Sequence, residues 1–393
     1  MGRYKVDYAL GAADESYVQE IRALGARLTA QDIIARDAAG LFSREAWKEL
    51  AQAGLAGLPV SAEYGGKQAS AQLAVAALSA LGRTFADNGL MFALGAHLWA
   101  CVDPINNFGT QTQKSRWLPG LADGSLIGAH AATEPQAGSD AGAIKTVAEK
   151  TATGWRLNGL KTYVTNAPVA DVFLVSAITS PERGTLGMSI FVVPRITSGL
   201  VIGPVIDKAG MRTAQMSEVH FDDCEVPADA LLGAEGAGMA IFTATMLRER
   251  SFINAPIVGV LQRLADQSME YAKTREQFGT RIATFQAVTN RIADMRVRSA
   301  TAELLMYRIA WLSDTGQIRA EDAAMMKLHS SEAFMASATD AMRIHGAFGY
   351  TTAAELERMQ RDAMGALLYS GTSDIQRNII ARAGRAMEIR RAQ

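Results

Sequence analysis

The stretch GWRLNGLKTYVTN, Gly154–Asn166, decides how the rest of the chain is read. Its β-branched and aromatic residues, broken by Asn158-Gly159 and closed by Asn166, read as strand with turn residues, and LNGLKTYVTNA as a hairpin. Outward in both directions the texture stays the same. DVFLVSAIT, MSIFVVP and SEVHFDDCEVP are short β-rich runs bounded by Gly, Pro, Asn or Asp, which predicts an antiparallel sheet between about Gly128 and Gly233. Before it, the spacing of three and four in YVQEIRALGARLTAQDIIARDAAGLFSREAWKELAQAGL predicts helices. After LLGAEGAGMAIF the same period returns, with helical segments expected at 238–274, 284–314, 320–346 and 362–388. The fold class is therefore α+β, with a helical part over 1–125, a β part over 126–237 and a C-terminal four-helix bundle over 238–393.

Composition narrows the function. A chain of 393 residues with 49% hydrophobic and 20% charged residues is an ordinary globular protein long enough for several domains. Thirty-nine basic against 40 acidic residues give a net charge of -1, so no global field attracts nucleic acid or an anionic membrane. Two distant cysteines, Cys101 and Cys224, and five scattered histidines offer neither a thiol pair nor the spacing of a metal site. MGRYKVDYAL lacks an apolar signal core and has Val6 where myristoylation needs Ser or Thr, and LMFALGAHLWACV is too short for a membrane span. A cytoplasmic protein is expected. GAEGAG precedes a helix without a preceding βαβ pattern, which argues against a Rossmann phosphate loop.

Six motifs gain meaning together: TEPQAGSD, KTYVTN, GMRTAQMSEVHFDDCEVP, REQFGTRIATFQAV, RIHGAFGY and LLYSGTSDIQR. In order and approximate spacing they resemble the acyl-CoA dehydrogenase family over essentially the whole chain. The resemblance implies an FAD enzyme that oxidises the α,β bond of an acyl thioester, usually as a homotetramer, and passes electrons to an electron-transfer flavoprotein. It implies that Ala132, Thr133, Gly138 and Ser139 line the flavin ring, with Tyr163 and Thr165 on its other side. It assigns Arg275, Phe278 and Gln286 to the cofactor of a neighbouring subunit, and Thr372 to a cofactor contact from the C-terminal loop. Arg343, beside Gly346, and Asp374 stand where many members have Gln, and they complete the expected cofactor set.

LLYSGTSDIQR departs from the family at one decisive place. Where many members carry the catalytic glutamate, this chain has Ser370, whose hydroxyl cannot deprotonate a thioester α-carbon near neutral pH. Tyr369, Ser370 and Gly371 are therefore expected to clamp substrate. A replacement base is visible in TATMLRERSFINAPIVG: on a helix, Glu249 has Thr245, Met246, Phe252 and Ile253 as its neighbours three and four residues away, a largely apolar stripe on which burial raises a carboxyl pKa. The competing reading is a surface glutamate balanced by Arg248 and Arg250. The resemblance favours the base, because Glu249 falls at the position used by the isovaleryl-CoA and long-chain branches. It implies proton removal by Glu249 with hydride transfer to flavin N5, and a contact from Arg250 to the nucleotide or pantetheine arm of the thioester. Leu247, where some members have Asp for pantetheine, weakens the case for free CoA. Three alternatives stand beside an acyl-CoA substrate: acyl or aminoacyl groups on a carrier protein, a flavin monooxygenase, and a silent partner subunit.

Overall fold

The computed structural model describes residues 8–29 and 32–392, excepting side chains beyond 383; the segment around Val6 and the final Gln393 lie outside the described residues. Among the described residues seven α-helices come first: α1 (Ala12–Thr29), α2 (Ile33–Ala39), α3 (Arg44–Gln52), α4 (Ala71–Thr84), α5 (Asn88–His97), α6 (Asp103–Phe108) and α7 (Gln111–Ala122). Local chemistry starts several of them. Ser43, Ser70 and Asp87 side chains accept the N–H three residues on, and Thr110 and Gln113 form a reciprocal box. A π-turn, Leu98–Val102, joins α5 to α6.

The strands follow: β1 (Gly128–Ala131), β2 (Val147–Lys150), β3 (Gly154–Thr165), β4 (Val172–Ile178), β5 (Met188–Pro194), β6 (Leu200–Val205), β7 (Met216–Pro227) and β8 (Leu231–Leu232). They form one sheet in the order β6-β7-β3-β2-β4-β5-β8, with β1 also on β4. Most pairs are antiparallel, but β1 and β2 run parallel to β4. Gly154–Thr165 is one long strand and not the expected hairpin. Asn158-Gly159 makes a bulge against β7, where the Asn158 amide and Asp223 exchange hydrogen bonds of 3.1 and 2.8 Å. Both neighbouring strands supply partners there, so the chain continues through the Asn-Gly pair instead of turning back.

The last part contains α8 (Gly238–Phe252), α9 (Ala255–Thr274), a small hairpin of β9 (Glu276–Gln277) and β10 (Thr280–Arg281), α10 (Gln286–Asp314), α11 (Ala320–Gly349), α12 (Leu356–Ala366) and α13 (Ser373–Ala392). Two expected helices are interrupted. The 238–274 segment breaks at Ile253-Asn254 because Pro256 can begin a helix but not continue one. The 362–388 segment breaks at 367–372, where Ser370 and Gly371 take φ of 54° and 89°. The helices of both ends share one hydrophobic core, while the sheet carries its own. Gly82 and Gly259 permit the close crossing of α4 and α9: a Cβ at Gly259 would lie 1.9 Å from the Ser79 carbonyl oxygen.

Candidate active site

One wall of a cavity of about 650 Å³ is a single face of α8. Phe242, Met246, Glu249 and Arg250 lie four, three and one residues apart and share that face. Thr245, Met246, Phe252 and Ile253 are buried around Glu249, which is itself 9% exposed. Burial raises its carboxyl pKa above the ordinary value, opposed by the Ser370 hydrogen bond and by the charges of Arg250 and Lys327. Glu249 is thus no surface residue neutralised by its neighbours. Arg248 instead pairs with Asp103 at 2.9 Å, and Arg250 donates to the Ser370 carbonyl at 3.0 Å.

The loop between α12 and α13 faces that wall. The Ser370 hydroxyl donates to Glu249 Oε1 at 2.5 Å, so the serine that replaces the expected glutamate is bonded to the alternative one. Gln376 Nε2 holds the loop from behind, donating to the carbonyls of Ser370 and Gly371 at 3.1 and 2.8 Å. Tyr369 stacks on Phe92 with centroids 4.3 Å apart and donates its hydroxyl to Asn254 Oδ1 at 2.7 Å. Thr372 lines the cavity and also accepts the Ile375 N–H at 3.3 Å, opening α13.

The opposite wall comes from the sheet. Ala132, Thr133, Gly138, Ser139, Tyr163 and Thr165 line it, and a Cβ at Gly138 would meet nothing within 4 Å. Glu134 organises this loop. Its carboxylate accepts from the Lys145 and Thr146 N–H groups at 2.6 and 3.0 Å, from the Thr146 hydroxyl at 2.6 Å and from the buried Lys161 at 2.7 Å. Burial pushes its pKa up, but Lys161 and these donors outweigh that and hold it at about 2. His130 Nε2 and Ser176 Oγ, also in the cavity wall, have no hydrogen-bond partner among the described residues. Apolar surfaces with hydroxyls on two sides and unanswered polar atoms fit the ring system of a flavin.

The structure does not bring every expected residue to this cavity. Arg275, Phe278, Gln286, Arg343 and Gly346 are exposed on the β9–β10 hairpin, α10 and α11, outside the cavity lining, and Phe278 is 95% exposed. Asp374 is exposed on the first turn of α13, where it pairs with Arg377 at 3.1 Å, and it is not part of the wall. Its expected cofactor contact has no support in this chain's geometry. Conversely, sequence reading missed Lys327, His130 and Ser176. Lys327 had a signal: it occupies an apolar-period position in AAMMKLHSSEAF, with Ala323, Ala324, Met326, Ser330 and Phe334 buried on the same helix. Among the described residues no group of three His, Cys, Asp or Glu is arranged to hold a metal ion, and no helix is long and apolar enough to cross a membrane.

Comparison with known proteins extends this picture. The N-terminal, middle and C-terminal domains of acyl-CoA dehydrogenases match residues 12–125, 129–224 and 236–384. An L-prolyl-[peptidyl-carrier protein] dehydrogenase of Pseudomonas fluorescens is 43% identical over 342 residues, which is 87% of this chain and 90% of that protein. The crystal structure of the prolyl acyl carrier protein oxidase AnaB superposes with a TM-score of 0.93 at 42% identity, covering 95% of this chain and 99% of that one. PigA with FAD and proline gives a TM-score of 0.93 at 39% identity, covering 96% and 98%.

Proposed function

The chain belongs to the acyl-CoA dehydrogenase family, an FAD-dependent dehydrogenase, and on that premise we propose that it oxidises an aminoacyl thioester, prolyl in the first instance, held on a carrier protein. Glu249 is the proposed base. The observation that carries the reading is a buried carboxylate in the cavity wall, bonded to the loop that in many relatives would supply the base itself.

The prolyl relatives support a carrier-bound amino acid over free acyl-CoA. Two features of the chain agree with that choice. Leu247 offers no polar group to a pantetheine arm, and the stacked Phe92 and Tyr369 wall the cavity next to the Ser370 loop, which favours a compact acyl group. Glu249 takes the α-proton, and the electron pair left behind forms the new double bond as a hydride equivalent departs from the β-carbon. FAD, when bound, supplies the acceptor for that hydride equivalent. The Ser370 hydroxyl keeps the carboxylate aimed at the substrate, Arg250 and Gln376 hold the Ser370 carbonyl, and Met246 and Phe242 exclude water from the same wall.

Ala132, Thr133, Gly138, Ser139, Tyr163, Thr165 and Thr372 are the proposed contacts to the flavin part of FAD. Arg275, Phe278, Gln286 and Arg343 are proposed to reach the cofactor of a neighbouring copy in a homotetramer, which accounts for a phenylalanine almost wholly in solvent on one chain. An electron-transfer flavoprotein is the proposed electron acceptor. The silent-subunit alternative loses its argument, since Ser370 engages a second carboxylate instead of leaving the site without one.

Anaerobic mixing of FAD-loaded protein with prolyl-carrier protein, prolyl-CoA and butyryl-CoA tests the reading. Loss of the flavin absorbance with carrier-bound proline, absent in Glu249→Gln, is the expected result. Reduction by acyl-CoA thioesters with none by prolyl-carrier protein would sink the carrier assignment.

A further inference from the structure

Lys327 on α11 is fully buried, yet its ammonium has no hydrogen-bond partner among the described residues. A buried charge left this way costs free energy unless something nearby needs it. Three contacts locate it. Its Nζ lies 5.7 Å from the centroid of the Tyr369 ring, on which Phe92 also stacks. The Tyr369 hydroxyl is bonded to Asn254, and Asn254 Nδ2 donates at 2.8 Å to the hydroxyl of Ser330, one turn along α11 from Lys327. Ser370, the next residue after Tyr369, is bonded to Glu249. The lysine is thus anchored behind the same loop that holds the carboxylate.

We propose that Lys327 is a positioning residue for the reaction, a buried cation behind Tyr369 whose charge favours the carboxylate form of Glu249, the form able to accept the α-proton. The proposal rests on the assignment of Glu249 as base. Burial favours the protonated form of Glu249, which has no capacity to take another proton, and a nearby cation opposes that. The charged and titratable groups around Glu249 are Arg250 on its own helix, Lys327 on α11 and Tyr369 on the loop, whose own pKa burial and the nearby carboxylate raise. Asp103, from the α6 segment packed on α8, is taken by Arg248, and Glu332 on α11 pairs with Arg377. Arg250 adjoins Glu249 on α8 and carries the larger of the two charges' effects while it donates to the Ser370 carbonyl; Lys327 adds a second cation, whose ammonium has no hydrogen-bond partner among the described residues. Burial and the charge of Arg250 pull its pKa down to about 8, so it remains protonated at neutral pH.

Lys327→Met removes the charge at similar volume, and Lys327→Arg keeps a charge in place. In single-turnover reduction of the FAD-loaded enzyme by its thioester, the acid limb of the rate profile is expected to move up by about 1 pH unit in Lys327→Met and to stay near wild type in Lys327→Arg. A substrate-free readout runs beside it: infrared difference spectra of the FAD-loaded protein across pH follow the carboxyl band that Glu249→Gln deletes. That band is expected to persist to higher pH in Lys327→Met. A folded Lys327→Met protein with the wild-type carboxyl titration overturns the proposal, even if its melting temperature changes. If no thioester reduces the wild-type flavin, the substrate reading fails, and the infrared titration still decides the role of Lys327.

Discussion

Ser370 and Glu249 stand 121 positions apart and share one hydrogen bond, and that bond sets how this site differs from a single-glutamate arrangement. A hydrogen bond to an ionised carboxylate stabilises the charged form by about 1.5–3 kcal/mol. Ser370→Ala therefore raises the Glu249 pKa further above its ordinary value, and the acid limb of flavin reduction moves to higher pH. A pH profile of single-turnover reduction checks it; a limb that moved down would contradict the hydrogen bond's direction. Glu249→Gln cannot accept the proton at all, and reduction should fall by at least about 100-fold with FAD still bound. Glu249 was legible in the sequence, because its neighbours three and four residues away are apolar and a helix brings such residues together. Ser370 was legible only as a missing base. Nothing local to LLYSGTSDIQR indicates that its hydroxyl meets α8.

At the scale of elements, the loop Thr133–Thr146 is shaped by a buried ion pair. Glu134 and Lys161 have side chains 2% and 0% exposed, and breaking such a pair by removing one charge costs about 3–5 kcal/mol. Glu134→Gln should lower stability by that order in denaturant titration and weaken FAD retention, since Thr133, Gly138 and Ser139 line the cavity on the same loop. The pair also gives a pH signature. The folded Glu134 carboxyl lies at about 2 against 4.5 for the ordinary group, so its contribution is present above about pH 4.5 and is lost as pH falls toward 2. Acid unfolding of wild type should be steeper over that window than that of Glu134→Gln. The crossing of α4 and α9 makes a second demand: Gly259→Ala drives a methyl into the Ser79 carbonyl and should cost about 1–3 kcal/mol or more, read as a fall in Tm. Nothing in TEPQAGSD by itself marks Glu134 as buried, because a carboxylate enclosed by partners as distant as Lys161 looks like any surface glutamate in a string of residues.

For the whole molecule, Phe278, Arg275, Gln286 and Arg343 are exposed on the single chain, and under the proposed assembly they would reach the cofactor in a neighbour's cavity. Phe278→Ala and Arg275→Ser are expected to leave the fold of the single chain intact, since neither side chain is buried in it, while lowering FAD retention and shifting the assembly toward smaller species in light scattering. Retention unchanged in both variants would argue against shared cofactor binding. The sequence by itself determined the order of helices, sheet and helices, the apolar setting of Glu249 and the presence of a serine at position 370, since each is written in periodicity or in residue identity at one place. Tertiary structure alone decided that Asn158-Gly159 bulges instead of turning, that Ser370 answers Glu249, and that the Lys327 ammonium lies behind Tyr369 with no hydrogen-bond partner among the described residues. Those outcomes depend on which distant segments fill the space beside a residue, and local spacing carries no record of that.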